Sequence, residues 1–130
     1  MKVILSQRID YNSDYNDIPY VRYQYPKAYR NQLSPGTRFI YNQGNRYKKE
    51  HRYYYGFGVI GAIYRDNTDG NYVAEILDGV EFPNKVPIYM QAGEGYIENL
   101  GYESVRSAPK PPWQSAIRNL SNEAFDEILR

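Results

Sequence analysis

The sequence predicts a mainly β domain with short helices, organised around one long strand at the centre of a small barrel. Residues 53–65 are rich in aromatic and β-branched side chains, which suit a pleated, half-buried surface. Gly56, Gly58 and Gly61 interrupt this run, and glycine inside a strand indicates curvature or the close approach of another group. The chain has 130 residues, enough for one hydrophobic core, so we expect a single domain over 1–130.

Six segments are expected to be extended because they are rich in strand-forming residues and are bounded by turn formers. They are residues 2–8, 20–25, 37–42, 53–65, 72–77 and 113–118. In the third segment, alternation places Phe39 and Tyr41 on one face and Ile40 and Asn42 on the other. A further short strand is expected at 96–98, inside a long irregular excursion.

Proline positions limit the sheet and mark the start of one short helix, and a capping residue marks the start of another. Pro83 and Pro87 argue against a central strand over 82–87, because each proline removes a ladder donor. Pro26 suits the first turn of a helix that extends to Leu33. Ser121 is expected to cap a C-terminal helix over Asn122–Leu129, which carries an apolar stripe.

The composition excludes several classes of chemistry. The chain has no cysteine, which rules out disulfides, thiolate metal sites and cysteine nucleophiles. His51 is the single histidine and has no orienting partner in the sequence, so we expect no catalytic residue and no metal site. The glycine spacing lacks a dinucleotide fingerprint, and we expect no cofactor. No apolar run approaches the roughly 20 residues that span a bilayer, which favours a cytoplasmic protein with no membrane partner.

The remaining signal is aromatic and basic. The sequence contains 16 tyrosines, and several lie close to Lys and Arg residues although the net charge is only +1. Cations neutralise phosphates, and aromatic faces stack on an extruded base with about 1–3 kcal/mol each. This combination is typical of a base-handling surface. The alternative interpretation is that the tyrosines fill the core and the basic residues form a solvated face.

Six segments, in this order, resemble the N-terminal EVE-like, PUA-superfamily, modified-base recognition domain of bacterial HNH restriction endonucleases. They are residues 20–29, 36–42, 55–63, 72–76, 82–87 and 113–121. The resemblance extends from about Tyr20 to the end of the chain. It implies a PUA/EVE-like pseudo-barrel with a short helix after the second strand and a C-terminal helix.

The resemblance also implies a function, which is to read modified bases, above all modified cytosine, by flipping them into an aromatic pocket. The partner is then nucleic acid, DNA rather than RNA, and a downstream nuclease domain or partner does the cutting. The chain itself carries no nuclease motif, so we expect it not to be an enzyme. The expected base-binding residues are Tyr23, Tyr25, Tyr41, Asn42, Trp113, Gln114 and Ser115. The expected phosphate-binding residues are Arg22, Lys27, Lys48, Lys49, Arg52 and Arg118.

Two other classes of function stay open at this point. A small ASCH-like hydrolase of modified nucleosides needs a converging Lys, Thr and Glu, for which Lys27, Thr37 and Glu75 are the candidates. A tyrosine-rich protein-interaction module needs a flat tyrosine surface in place of a concave basic pocket.

Overall fold

The computed structural model describes residues 2–6, 18–43, 52–65, 71–89, 95–100 and 117–130. These residues form a mainly β structure. The strands are β1 (Lys2–Ser6), β2 (Arg22–Tyr25), β3 (Arg38–Gln43), β4 (Tyr53–Arg65), β5 (Tyr72–Pro87) and β6 (Ile117–Asn119). Single 3-10 turns lie at Lys27–Tyr29 and Ile97–Asn99, and the helix α1 spans Asn122–Leu129.

The six strands form one sheet in the order β2-β5-β4-β3-β1-β6. β1 pairs with β3 in parallel, and every other neighbouring pair is antiparallel. β4 therefore lies inside the sheet, with β3 on one side and β5 on the other, as the sequence predicts. β4 pairs antiparallel with both β3 and β5, the strands before and after it in the sequence.

The sheet curls into a half-barrel. Three strands separate β2 from β1 in the strand order, yet the Tyr23 hydroxyl of β2 donates a hydrogen bond to the Ser6 carbonyl of β1 at 3.3 Å. This contact requires the two sides of the sheet to approach each other across its inner face. The prediction of a β-dominated, barrel-like fold is confirmed at this level.

Two hydrophobic clusters occupy the two faces of the sheet. The inner cluster contains residues from all six strands: Val3, Leu5, Tyr23, Tyr25, Phe39, Tyr41, Tyr55, Ile60, Ala74, Ile76 and Ile117, together with Leu33. The outer cluster packs the sheet against α1 and the second 3-10 turn: Ile4, Ile40, Tyr54, Ile88, Ile97, Leu120, Ala124, Phe125 and Ile128. Phe39 and Tyr41 thus lie on the face opposite Ile40, as the alternation predicts.

The pairing register of β4 shifts where its glycines lie. Tyr41 is opposite Gly56 and Asn42 is opposite Tyr54, so Tyr55 is the extra residue of a bulge. A bulge bends its strand and increases the local twist, which contributes to the curl. A Cβ atom built on Gly58 would lie 2.7 Å from the tip of the Phe39 ring. The glycines of β4 therefore lie where the strand bends and where a neighbouring ring packs directly against its backbone.

The strand expected over 72–77 is longer in the structure, but the prediction that 82–87 is not a central strand is confirmed. β5 runs through both prolines to Pro87, and it lies between β2 and β4. However, β2 pairs only with Tyr72–Glu75, so within the described residues the later part of β5 has a strand partner on one side alone. Proline is tolerated at such an edge because the N–H on the unpaired side is not required.

The helices differ in how well the sequence defines them. α1 has the predicted bounds, and its Ser121 cap accepts a hydrogen bond from the Ala124 N–H at 3.1 Å. The predicted helix from Pro26 to Leu33 is a single 3-10 turn followed by further turns. The strand expected at 96–98 is instead a 3-10 turn preceded by an isolated bridge between Tyr89 and Tyr96. None of the helices in the described ranges has the length and apolar character needed to cross a membrane.

We expect Gly58→Ala to lower the free energy of unfolding by about 1–3 kcal/mol, because the new methyl group collides with the Phe39 ring. Combining it with Phe39→Leu, which shortens the opposing side chain, should make the two effects less than additive. Urea denaturation of both single variants and the double variant measures this coupling. Strictly additive effects would show that Phe39 does not limit the space at Gly58.

Candidate functional site

The inner face of the half-barrel carries a group of close tyrosines that we call the tyrosine cluster. It is supplied by the turn before β2, by β2 itself, and by the facing ends of β3 and β4. Its members are Tyr20, Tyr23, Tyr25, Tyr41, Tyr53 and Tyr55. The sequence names three of them as base-binding residues, and the structure places those three on the same face.

Tyr41 is at the centre of the cluster. Its ring stacks on that of Tyr55, with 5.3 Å between the ring centroids and 2° between the planes. The rings of Tyr20 and Phe39 meet it at steep angles, with centroid distances of 5.1 and 4.9 Å. Tyr41 is fully buried, so a base can stack against it only if a neighbouring ring moves.

The tyrosine hydroxyls converge inside the cluster. Burial raises the pKa of Tyr55 far above its ordinary value, and the nearby phenols of Tyr41, Tyr20, Tyr23 and Tyr53 add to this effect. The Tyr55 phenolate is thus disfavoured both by the low local dielectric and by its neighbours. The cluster therefore combines flat apolar faces with several neutral hydroxyls that can donate or accept hydrogen bonds.

Two of these hydroxyls are buried without a hydrogen-bond partner among the described residues, those of Tyr20 and Tyr25. Burial raises the pKa of each to about 12, with further contributions from Glu81 for Tyr20 and from Tyr72 for Tyr25. By contrast, the Tyr23 hydroxyl donates to the Ser6 carbonyl. Buried polar groups are nearly always paired, so the two unpaired hydroxyls distinguish this face from an ordinary core.

Tyr20 is the member that sequence reasoning missed. It has a left-handed backbone conformation, with φ of 65°, and its side chain lies against Gly56 of β4 and Gly79 of β5. Gly56 was recognisable in the sequence as a point of close approach. The identity of the approaching group was not, because it depends on how β2, β4 and β5 come together.

The opposite face carries a buried ion pair between Arg118 of β6 and Glu98 of the second 3-10 turn. The Arg118 Nε donates to Glu98 Oε1 at 2.9 Å, and Nη2 donates to Oε2 at 3.1 Å. The Tyr54 hydroxyl donates to the same carboxylate at 2.6 Å, and Arg118 Nη2 also reaches Asn42 Oδ1 at 3.0 Å. Burial, followed by the nearby Glu98 charge, raises the pKa of Tyr54 well above its ordinary value.

These contacts show where two of the predicted site residues lie. Arg118 is 3% exposed and Asn42 is 1% exposed, and both bind other protein groups on the outer side of the sheet. In this arrangement Arg118 faces Glu98 rather than solvent, and its assignment to phosphate stays a prediction. Asn42 donates a hydrogen bond to the Tyr53 carbonyl at 3.2 Å, so it holds the backbone of Tyr53 from the outer side of the sheet.

The other basic residues are distributed along the half-barrel. Lys27 is exposed just beyond Tyr25, which is opposite Tyr72 near the Arg65 end of β4. Arg52 precedes Tyr53 at the other end of β4, where the Lys85 ammonium lies 4.5 Å from the centre of the Tyr53 ring. Arg22 of β2 is half-buried and is opposite Glu75 of β5. Lys27 thus lies toward one end of the tyrosine cluster, and Arg52 and Lys85 lie toward the other.

Several predicted residues lie outside the described part of the chain. They are Trp113, Gln114 and Ser115 from the base-binding set, Lys48 and Lys49 from the phosphate-binding set, and His51.

The three residues considered for a hydrolase lie in different surroundings. The Thr37 hydroxyl is in a turn, where it accepts a hydrogen bond from the Ser34 N–H at 3.2 Å. Glu75 is exposed between Ala74 and Ile76, which both belong to the inner cluster, so its side chain points away from that face. Lys27 is exposed beyond the end of β2.

Comparison of the chain with protein-family models, curated proteins and solved structures finds no match.

Glu98→Gln should lower the free energy of unfolding by about 3–5 kcal/mol, because Arg118 then keeps a buried charge without a carboxylate. Glu127→Gln is the matched control, since the Glu127–Arg130 pair on α1 is solvent-exposed, and it should cost less than about 1 kcal/mol. Chemical denaturation of the two variants compares them. Equal effects would mean that the burial of Arg118 does not matter for stability.

The unpaired hydroxyl of Tyr25 gives a second test. At neutral pH, Tyr25→Phe should leave stability unchanged or raise it by about 1 kcal/mol, because a buried hydroxyl without a partner is removed. Tyr23→Phe, the matched control, should cost about 0.5–1.5 kcal/mol, because it removes the hydrogen bond to Ser6.

The same variant has a distinct pH dependence. The pKa of Tyr25 is raised from 10.0 to about 12 in the folded protein, so its ionisation has no effect on stability well below pH 10 and lowers the free energy of unfolding as the pH rises from 10 to 12. Denaturation curves across this range should therefore fall less steeply for Tyr25→Phe than for the unmodified protein. Identical slopes would contradict the burial of this hydroxyl.

Proposed function

We propose that this chain is a nucleic-acid reader that takes an extruded base into the tyrosine cluster on the inner face of the half-barrel. The observation that carries the proposal is the stacked pair of Tyr41 and Tyr55, with tyrosine hydroxyls gathered around it. A base presents two flat faces and a polar edge. Aromatic rings and hydroxyls are the groups that recognise these two features.

The energetics support such a site. Extruding a base from a duplex costs a few kcal/mol, and stacking on aromatic side chains returns about 1–3 kcal/mol for each stacked base. Hydrogen bonds to the base edge must supply the remainder. The hydroxyls are neutral near pH 7, and the raised pKa values of Tyr20 and Tyr55 disfavour their deprotonation further.

The distribution of charge fits the same role. The net charge of only +1 is not that of a strongly basic domain, so the positions of individual cations matter more than the overall charge. Lys27 lies toward one end of the cluster, and Arg52 and Lys85 lie toward the other. Cations on both sides of an aromatic site can hold the phosphates that flank an extruded nucleotide.

The finer assignment follows from the resemblance of the sequence segments. It comprises a PUA/EVE-like pseudo-barrel, DNA as the nucleic acid, modified cytosine as the base and an HNH nuclease as the effector. The curled sheet and the C-terminal helix are compatible with this assignment. Trp113, Gln114 and Ser115 belong to it as further base-binding residues.

One observation favours base reading over a protein-interaction module. An interaction surface needs its tyrosines exposed on a flat patch, whereas five members of the tyrosine cluster are buried inside the curl: Tyr23, Tyr25, Tyr41, Tyr53 and Tyr55. Enclosed rings with converging hydroxyls suit a small flat ligand better than a protein partner.

Binding assays with duplexes that contain cytosine, 5-methylcytosine or 5-hydroxymethylcytosine, at several stated salt concentrations, test the proposal. We expect tighter binding to at least one modified duplex. Lys27→Ala and Arg52→Ala should each weaken binding to all duplexes, because each removes one phosphate contact. The salt slope, which is the slope of the logarithm of the binding constant against the logarithm of the salt concentration, should fall in magnitude by about 1 for each variant.

Arg130→Ala is the matched control, because Arg130 pairs with Glu127 at the end of α1 and should not affect binding. Equal and undetectable binding to all three duplexes would overturn the proposal. Unchanged salt slopes for Lys27→Ala and Arg52→Ala would remove these two residues from the interface.

A further inference from the structure

The side chain of Tyr20 fills a narrow slot on the inner face. A Cβ atom at Gly56 would collide with the Tyr20 hydroxyl, and one at Gly79 would lie 2.9 Å from Cδ1 of the Tyr20 ring. Backbone without side chains therefore forms one wall of the slot. The Tyr41 ring lies on another side, with 5.1 Å between the two ring centroids. The Tyr20 ring occupies the slot, so the slot is wide enough for one flat aromatic ring.

Tyr20 is held in this slot at a cost. Its φ of 65° is a left-handed conformation that residues other than glycine rarely adopt. Its hydroxyl is buried without a hydrogen-bond partner among the described residues. Strained backbone conformations concentrate at ligand clamps and switch regions, and a buried hydroxyl without a partner favours exchange for a better-matched group.

The turn that carries Tyr20 is anchored independently of the ring. The N–H groups of Val21 and Arg22 donate to the Ile18 carbonyl at 2.9 and 3.0 Å, and the Val21 carbonyl accepts from the Ile76 N–H at 2.9 Å. None of these bonds involves the Tyr20 side chain. The ring can therefore leave the slot by side-chain rotation while the turn remains attached to β5.

A hydrogen bond between Tyr20 and Tyr41 lies at the side of the slot. The Tyr20 backbone N–H donates to the Tyr41 hydroxyl at 3.1 Å, which fixes the orientation of that hydroxyl at the side of the slot. The Tyr41 hydroxyl therefore lies beside any ring that takes the place of Tyr20 in the slot.

We propose that the slot bounded by Gly56, Gly79 and Tyr41 is the binding site for the extruded base, and that the Tyr20 ring closes it in the unbound protein. This inference rests on the proposed function and specifies its site. A phenol and a pyrimidine are single-ring aromatic groups of similar size, so the slot selects pyrimidines over the larger purines. Base binding displaces Tyr20, and the base takes its place against the bare backbone.

Tyr20→Gly tests the site directly, because glycine adopts positive φ without strain and leaves the slot open. The probes are p-cresol, which reproduces the tyrosine ring, and 5-methylcytidine, each titrated by calorimetry. A ring that occupies its site nine-tenths of the time weakens apparent ligand affinity about tenfold. We therefore expect Tyr20→Gly to bind both probes at least about tenfold more tightly than the unmodified protein, with p-cresol competing against 5-methylcytidine.

Two further variants test whether the gain in affinity comes from the open slot or from a general effect of a glycine substitution in this turn. Val21→Gly makes the same replacement at an exposed position of the same turn and should behave like the unmodified protein. Adding Gly79→Val to Tyr20→Gly refills the slot and should abolish the gain for both probes. If the double variant keeps the gain, the probes bind elsewhere and the inference is wrong.

The remaining outcomes separate this inference from the proposed function. If Tyr20→Gly gains no affinity for either probe, or binds p-cresol but not 5-methylcytidine, the slot is not a base site, even where the unmodified protein distinguishes modified duplexes. If Tyr20→Gly binds 5-methylcytidine through the slot but no variant binds any duplex, the slot stands and the nucleic-acid function fails.

Discussion

The arrangement of the inner face depends on the bulge in β4, where Tyr55 is inserted between residues that pair with β3. The bulge turns Tyr55 and Gly56 toward the inner face together, so that a large ring and a bare stretch of backbone lie side by side. Tyr55 stacks on Tyr41, and Tyr20 lies against Gly56. Without this register shift, strict alternation would place neighbouring residues on opposite faces and would separate the stacked rings from the slot.

Buried polar contacts on the outer face of the sheet reach the tyrosine cluster through Asn42 and Gln43 at the end of β3. Arg118 and Glu98 form a buried ion pair beneath α1, and Arg118 also holds the side chain of Asn42. Asn42 donates to the Tyr53 carbonyl, and the neighbouring Gln43 donates to the Tyr53 hydroxyl at 3.0 Å. A chain of buried polar contacts therefore connects the helix side of the sheet to the tyrosine cluster. Networks of this kind fix side-chain orientation when every member is paired.

Features set by local chemistry were predictable from the sequence. The long aromatic strand, the alternation in β3 and the capped helix α1 each depend on residues close together in the chain. The extent of β5 was not predictable, because Pro83 and Pro87 are acceptable only where β2 has already ended, and the length of β2 is a property of the assembled sheet. The partner of Arg118 was not predictable either, because Glu98 lies twenty residues away in a segment without a clear pattern.

The candidate site was predictable in its residue types but only partly in its members. Tyr23, Tyr25 and Tyr41 lie on one face, as the sequence suggested, because strand alternation decides this. Tyr20 was missed because its role comes from a positive φ and from two glycines on different strands. Asn42 is on the opposite face from Tyr41, its neighbour in the strand, as the alternation predicts, and its assignment to the base stays a prediction.

The most direct test of base reading on the inner face is a magnetic-resonance measurement of a complex with DNA. The duplex carries one 5-methylcytosine with an isotope-labelled methyl group, and through-space contacts from that methyl group are recorded. The proposed function predicts contacts with ring protons of Tyr41 or Tyr55. A methyl group whose contacts are confined to neighbouring bases in the duplex would contradict it.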